Sequence, residues 1–531
     1  MNPAIVVPAV ILGLCVLVAS AGPALLAKRR RRSKRTTARD IGRRWVHAIN
    51  IDRCTGCEAC VEVCPTSVLQ LVDHKSQAVY RDRCIECRQC AQACPTTALV
   101  MHRDGSEPPT LRCPELDQFL QTSVPGQYLI GEVAGKPLVK NAANMGRAVV
   151  EHIASTGFAS GGGDGSSPEA PVDIVVVGGG PAGLSAGLTA LHRGYSVAVL
   201  EKSASIAATI SGYPKGKGFL AEPYDCRNLS FLPVFDASKE ELLGAWQSVV
   251  TAAGLPIHFN SAVDTVGGSQ DRFEIKTANG VVYARRIVLA IGTRGKPRTL
   301  GVPGESLVKV STMLDDPRAH RDQRVLVVGG GDSAIEAAVA MADSGAAKVS
   351  ISYRGRAFAR AKKRNKVALE DRAARGKIEV LLQSKVKEIR DDLVVIQLSD
   401  GREIENDAVY VLIGADAPIK WLEKVGVQYV DRSHWHEFGA SDALVGRFGI
   451  GDDCPDNARA ACARLLGDAF EQNNVERSLN NNVVRRGARQ PRRDQTVVRD
   501  LSAHPFFDDF DDAETRMRER PADYDLKNWP K

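Results

Sequence analysis

Residues 172–203 read VDIVVVGGGPAGLSAGLTALHRGYSVAVLEKS. An apolar run ends in a G-x-G-x-x-G turn at Gly178, Gly180 and Gly183, a helix-like stretch follows, and a second apolar run stops at an acid, Glu201. Glycines so placed let the chain turn tightly, admit a pyrophosphate to the helix N-terminus and allow close packing of helix on strand. A carboxylate about 20 residues on can take ribose hydroxyls. A bare G-x-G-x-x-G is weak, but strand, turn, helix, strand and acid in that order specify a dinucleotide site. Its expected contacts are Gly178, Gly180, Pro181, Ala182, Gly183, Glu201 and Lys202.

Residues 324–360, RVLVVGGGDSAIEAAVAMADSGAAKVSISYRGRAFAR, repeat the arrangement with Gly329, Gly331 and Ala334 as the small residues. Alanine in third place still permits close packing. Where the first unit carries an acid, this one ends in Ser352, Tyr353 and Arg354, with Arg356 and Arg360 beyond. Guanidinium groups there suit a 2′-phosphate and favour NADPH over NADH; the alternative is a solvated basic loop. The expected contacts are Gly329, Gly331, Asp332, Ser333, Ala334, Arg354 and Arg360. Apolar runs alternating with helix-like stretches between Val172 and Arg477 argue for an α/β body of two Rossmann-like domains, each a parallel sheet covered by helices.

Upstream stand two strings of a different kind, CTGCEACVEVCP and CIECRQCAQACP. Each is C-x2-C-x2-C-x3-C-P, formed by Cys54, Cys57, Cys60 and Cys64, and by Cys84, Cys87, Cys90 and Cys94. Three thiolates in a tight loop can hold three corners of a cubane, while a fourth, three residues on and before a proline, crosses to the neighbouring cluster. Structural zinc also uses C-x2-C pairs, but it explains neither the third cysteine nor the repeated proline. Eight of the 13 cysteines fall in these strings, which argues for metal ligation in a reducing compartment rather than disulfides.

The net charge of +7 has a local origin: the run KRRRRSKR, Lys28–Arg35, holds seven basic residues and leaves the remainder neutral. A neutral body with one basic block argues against a nucleic-acid footprint. The block follows an uncharged apolar stretch, Ile5–Ala27, long enough as a helix to cross a bilayer. A cleaved signal peptide would carry its positive charge ahead of the apolar core. The expectation is one transmembrane helix at 5–27, with everything after Lys28 in the cytoplasm.

The cysteine strings resemble the bacterial two-cluster ferredoxins. That resemblance implies a small α+β domain with two [4Fe-4S] clusters, one on Cys54, Cys57, Cys60 and Cys94, the other on Cys84, Cys87, Cys90 and Cys64. The two glycine turns, with RRIVLAIGTRGKPRTLGVPGE before the second and DAVYVLIGADAPIKWLEKVGV after it, resemble the thioredoxin-reductase-like pyridine nucleotide oxidoreductases over about 300 residues. This implies FAD in the first site, NADP(H) in the second, and hydride transfer from nicotinamide C4 to flavin N5. Gly292 is then a close-approach glycine at the flavin, and Gly451 with Asp452 in GRFGIGDD a ribityl and pyrophosphate contact. The family's C-x-x-C is missing. Bacilliredoxin-reductase-like flavoproteins also lack it, and SYRGRAFARAK with SGYPKGK is similar to them. Cys226 stands alone, as a buried structural thiol or a redox thiol.

The expected layout is a transmembrane helix at 5–27, a basic linker at 28–48, a two-[4Fe-4S] domain at 49–104 and a connecting segment at 105–156. A flexible linker at 157–171 follows, then FAD domain at 172–315, NAD(P) domain at 316–416, FAD domain again at 417–477, and a loosely ordered tail at 478–531. The connecting segment contains VPGQYLIGEVAGKPLVKNAANMGRAVVEHIA, which reads like the strand, loop and helix that usually close a flavin domain, with Gly131 and Glu132 in place of Gly-Asp. Three roles are open to it: completing the flavin site from an N-terminal position, covering the junction between ferredoxin and flavin, or packing without cofactor contact. The expected activity is NAD(P)H-dependent electron transfer through FAD and two clusters to or from an external carrier. Its rivals are a flavin-dependent disulfide or quinone reductase and a non-catalytic redox subunit of a membrane complex. The expected partners are pyridine nucleotide, a one-electron carrier protein or membrane redox complex, and the membrane through the N-terminal helix, with no nucleic acid and with homodimerisation left open.

Overall fold

The computed structural model describes residues 44–222, 226–397, 401–436 and 466. The expected transmembrane helix, the basic block, the GRFGIGDD segment with Gly451 and Asp452, and the tail lie outside the described residues. Among the described residues no helix is long and apolar enough to cross a membrane.

The cysteine-rich module is built on a pseudo-twofold plan. Strands Trp45–Ile49 and Leu99–Arg103 pair antiparallel, Trp45 opposite Arg103, and a hairpin joins Leu69–Val72 to Lys75–Ala78. Two short helices, Ala59–Glu62 and Gln89–Ala93, are each entered through a left-handed residue, Glu58 at φ 61° and Arg88 at φ 60°. The core between them is Cys60, Val68, Leu69, Cys90, Leu99 and Met101. Three of these six residues carry sulfur, and so small a core offers little apolar surface to bury.

In the next unit, strand Val172–Val177 is buried at every position, as the centre of a parallel sheet must be. Strands Val197–Leu200 and Gly280–Leu289 flank it in parallel register. The ten-residue strand Gly280–Leu289 uses its other edge twice. Its first half pairs antiparallel with Phe273–Thr277, and its last three residues pair parallel with Gln127–Leu129. The connecting segment therefore supplies a strand of this sheet from an N-terminal position. Its helix, Val139–Ser155, lies against helix Pro181–His192, and the two backbones approach so closely that a Cβ on Gly146 would stand 2.2 Å from the Ala182 carbonyl oxygen.

The second dinucleotide unit is a five-stranded parallel sheet in the spatial order Val310–Ser311, Ala408–Val411, Arg324–Val328, Lys348–Tyr353, Ile378–Leu382. A three-stranded antiparallel sheet, Lys385–Ile389, Leu393–Gln397 and Arg402–Glu405, is appended. The chain then returns through helix Ile419–Lys424, whose Leu422 joins the core of the first unit. Strand Tyr429–Arg432 pairs antiparallel with Leu111–Pro114 of the connecting segment.

The Gly- and Ser-rich run at 157–171, expected to be flexible, is hydrogen-bonded. Ser160 and the Gly161 N–H both donate to Asp173 at 2.7 Å, and Gly165 accepts from the Tyr283 N–H at 3.0 Å. The cause is Asp173, a carboxylate buried in an otherwise apolar strand, which needs donors and takes further ones from Ser196 and Arg285.

Candidate functional site

A cavity of about 510 Å³ opens where the first glycine turn, strand Gly280–Leu289 and the connecting segment converge. Gly178, Gly180, Pro181 and Ala182 line it, as do Glu201, Lys202 and Gly292. Gly131, Glu132, Leu138 and Val139 form the facing wall. The connecting segment thus shares one cavity with the first glycine turn.

The three glycines divide their duties as the motif requires. Gly178 has φ 108°, and a Cβ there would stand 2.6 Å from the Ala290 carbonyl oxygen. A Cβ on Gly183 would stand 1.8 Å from the Gly178 carbonyl oxygen, so only glycine lets the helix seat on the turn. A Cβ on Gly180 would meet nothing within 4 Å, leaving that side of the turn open to the cavity. The buried Glu201 carboxylate accepts from the Gly179 N–H at 2.6 Å and the Ser203 N–H at 2.8 Å, each oxygen keeping a further lone pair.

Helix Val139–Ser155, 17 residues long, begins at the cavity wall behind Leu138, which has φ 82° and no side chain that could cap it. Its first-turn amides and its dipole favour negative charge there. At another wall the ring of Tyr213 has two cations near it, the Lys217 ammonium 4.2 Å and the Arg294 guanidinium 4.9 Å from its centroid. Sequence reasoning missed Tyr213 and Arg294, since neither stands in a glycine motif.

The second turn repeats the first atom for atom at its base. Gly178 N–H donates to the Leu200 carbonyl at 2.8 Å, and Gly329 N–H to the Ser352 carbonyl at 2.9 Å, so the next residues, Glu201 and Tyr353, are equivalent. A phenol thus occupies the place of the acid, its ring so close over the turn that a Cβ on Gly330 would stand 2.2 Å from it. Gly331, like Gly180, is open. Arg354 and Arg360 are exposed, as is Arg356. Ala334 is fully buried in its helix. Asp332 accepts at 2.8 Å from both the Lys362 N–H and the Asn365 side chain, so its carboxylate anchors helix Lys363–Ala374. Ser333 follows it in the first turn of helix Asp332–Asp343.

The eight cysteines gather into two groups. Cys54, Cys57, Cys60 and Cys94 line one cavity. Cys90 lies near Cys64, Cys87 and Cys60, and Cys60, Cys64, Cys84, Cys90 and Cys94 share the module's core. Backbone N–H groups of Ser76, Val68, Glu86 and Leu99 donate to the sulfurs of Cys54, Cys64, Cys84 and Cys94 at 3.3–3.4 Å. Burial pushes the Cys60 thiol up to about 11 and the Cys90 thiol up to about 12. Among the described residues no three His, Cys, Asp or Glu side chains converge on a point that a single ion would fill.

The module is docked on both dinucleotide units. Asp52, two residues before Cys54, forms an ion pair with Lys136, and both side chains are nearly buried. Lys136 belongs to the cavity-wall segment, between Glu132 and Leu138. Burial lowers its proton affinity, and Asp52 opposes that loss. On the other side Glu62, in the helix between Cys60 and Cys64, lies 3.0 Å from Lys366 of the second unit. Farther in, Lys217 pairs with Glu336 at 2.8 Å. Burial would raise the Glu336 carboxyl, but Lys217 and Asn365 outweigh it and hold it below its ordinary value.

The pyridine nucleotide-disulphide oxidoreductase family matches residues 175–442. The chain belongs to that family. Residues 53–99 match the 4Fe-4S dicluster domain. Among family relatives, the ferredoxin–NADP reductase of Ignicoccus hospitalis is 29% identical over 305 residues, spanning 56% of this chain and 94% of the relative. The bacilliredoxin reductase of Bacillus subtilis is 28% identical over 265 residues, 48% of this chain and 80% of the relative. The bacillithiol disulfide reductase structure from Staphylococcus aureus aligns at 23% identity and a TM-score of 0.44, covering 57% of this chain and 99% of that one. As a member of the family, the protein is an FAD- and pyridine-nucleotide-dependent oxidoreductase carrying an iron–sulfur ferredoxin domain. Among the described residues the thiols outside the cluster motifs are Cys113 and Cys226, and neither lines the 510 Å³ cavity.

Proposed function

We propose that this chain moves electrons between NADPH and an external one-electron carrier by way of FAD in the 510 Å³ cavity and two [4Fe-4S] clusters in the cysteine module. Bound FAD would supply the conversion of a hydride's two electrons into single ones, and the clusters would carry those one at a time. Overall, one NADPH yields NADP⁺, one proton and two reduced carriers; the reverse direction uses the same parts.

The protein's own residues supply binding and position. Gly180 would leave room for a pyrophosphate, Glu201 would take ribose hydroxyls on its free lone pairs, and the uncapped helix start at Leu138 would favour negative charge on the ring system. Glu132, on the cavity wall, would offer its carboxylate to a ribityl hydroxyl. At the second turn Tyr353 removes the carboxylate that a 2′-hydroxyl would need, and Arg354 and Arg360 offer guanidinium groups to a 2′-phosphate. Cys54, Cys57, Cys60 and Cys94 would hold one cluster, and Cys84, Cys87, Cys90 and Cys64 the other. Their N–H···S bonds tune its potential. A set spread round a cavity fits a cubane better than the tight tetrahedron of zinc.

The observation that carries this reading is the Asp52–Lys136 pair, which joins the loop of the first cluster to the wall of the cavity. Anaerobic titration with NADPH, followed by visible absorbance and electron paramagnetic resonance, should bleach the flavin and then develop reduced-cluster signals. Flavin bleaching with clusters left oxidised would show that electrons leave from the cavity itself. The apolar stretch 5–27 is proposed to tether the protein to the cytoplasmic face of a membrane. A chain starting at Thr36 should then be soluble and keep its cofactors, and loss of flavin on shortening would tie the stretch to the fold.

A further inference from the structure

The cysteine module's two halves are related by sequence, yet their surroundings differ. In the first half two of the nine residues from Ile51 to Ala59 are exposed, Ile51 and Glu58, and the loop between them faces the cavity-wall segment through Lys136. In the second, seven of the nine residues from Arg81 to Gln89 are exposed, including Cys87, the counterpart of the half-buried Cys57. Of the eight motif cysteines, Cys87 is exposed and the others are half-buried or buried.

The bare side has a definite chemistry. Ile85 is 61% exposed where the covered loop has Thr55, and Val79 and Tyr80 beside it are 44% and 40% exposed. Arg83 lies 4.3 Å from the Tyr80 ring centroid, and Arg88 and Arg103 lie 4.7 and 4.6 Å from that of Trp45. With Arg81, which is close enough to His47 to lower its proton affinity after burial has done so, four exposed guanidiniums border the apolar patch, against the exposed carboxylate of Asp82 and the half-buried ones of Glu86 and Asp104. An apolar centre with an arginine rim is the make-up of a protein-docking face, and the sign of the rim selects the partner.

We infer that the face around Cys87 is the docking site for an acidic one-electron carrier protein, so that the cluster held by Cys84, Cys87, Cys90 and Cys64 is the exit and the other cluster the inner relay. This rests on the electron-transfer reading above. Each docking moves one electron between exit cluster and carrier, two dockings per NADPH oxidised.

The test is calorimetric binding of the full-length holoprotein to a purified acidic two-cluster ferredoxin at about 50 mM and about 300 mM salt. A face built on charge should weaken roughly tenfold or more between the two. The double variant Arg81→Glu, Arg83→Glu should weaken binding by about tenfold at low salt, and Ile85→Ser several-fold, with iron content and visible spectrum unchanged. Binding insensitive to both charge reversal and salt overturns the proposal. So does equal binding of a basic cytochrome. Arginine-dependent binding to vesicles of phosphatidylglycerol without carrier binding assigns the face to a membrane and overturns it too, as does arginine-dependent self-association. Should the double variant lose iron, the salt dependence of the unaltered protein decides. Failure of NADPH to bleach the flavin would strike the electron-transfer reading instead, and leaves the binding measurement intact.

Discussion

Replacing Lys136 by Met takes away the ammonium that faces the Asp52 carboxylate at the junction between module and cavity wall. The two side chains are only 7% and 12% exposed, so solvent screens little of the loss. Breaking one partner of such a pair costs roughly 3–5 kcal/mol, and the residual exposure of Asp52 points to the lower end, about 3 kcal/mol. If that loss falls on docking, the docked fraction relative to undocked drops by about 150-fold. The double variant Lys136→Met, Asp52→Leu should recover most of it, because two apolar residues of similar bulk replace a pair whose burial was itself expensive. In anaerobic stopped-flow mixing with NADPH, the single variant should bleach its flavin at the normal rate and reduce its clusters slowly. The double variant should restore cluster reduction. Normal cluster reduction in Lys136→Met, or effects of the two substitutions that merely add, would refute the junction as the electron route.

At the flavin, Glu132→Ala should weaken FAD binding by roughly 10- to 100-fold, the worth of one hydrogen bond to a charged group, as equilibrium dialysis against FAD would read. At the second turn, Arg354→Ala with Arg360→Ala should raise the Michaelis constant for NADPH and leave that for NADH nearly unchanged. Adding Tyr353→Glu should improve NADH, and equal effects on both nucleotides would mean these residues do something else. In the module, Cys57→Ala and Cys94→Ala should each remove the same cluster, about four irons, despite lying in different motifs. Iron analysis with paramagnetic resonance should find the same surviving signal in both, and two different survivors would refute the crossed ligation.

The glycine turns were legible because their constraint is local: Gly178 and Gly183 are fixed by backbone atoms a few residues away, or by the neighbouring strand. The cysteine groups were legible for the same reason, through spacing and the following proline. The cavity wall was only half legible. Its wording announced a closing strand and helix, but its place depends on Gln127–Leu129 meeting Ile287–Leu289, a pairing across roughly 160 residues that no local pattern encodes. The run at 157–171 misled because its composition is that of a flexible tether, while the residue that pins it, Asp173, sits in the next strand. The role of Asp332 was hidden likewise, its partners Lys362 and Asn365 lying about one βα unit downstream.

Because strand Gln127–Leu129 and helix Val139–Ser155 precede the glycine turn they complete, the protein does not divide where its composition suggests. A gene split at the Gly- and Ser-rich run would yield a ferredoxin carrying one wall of the cavity and a reductase lacking it. Neither product could close round a flavin by itself, and recovery would require the halves to reassociate. Ferredoxin and reductase are thus bound to a common fate by inheritance of a shared wall, so a cut that preserved both functions would have to fall before Leu111, ahead of the strand that pairs with Tyr429–Arg432.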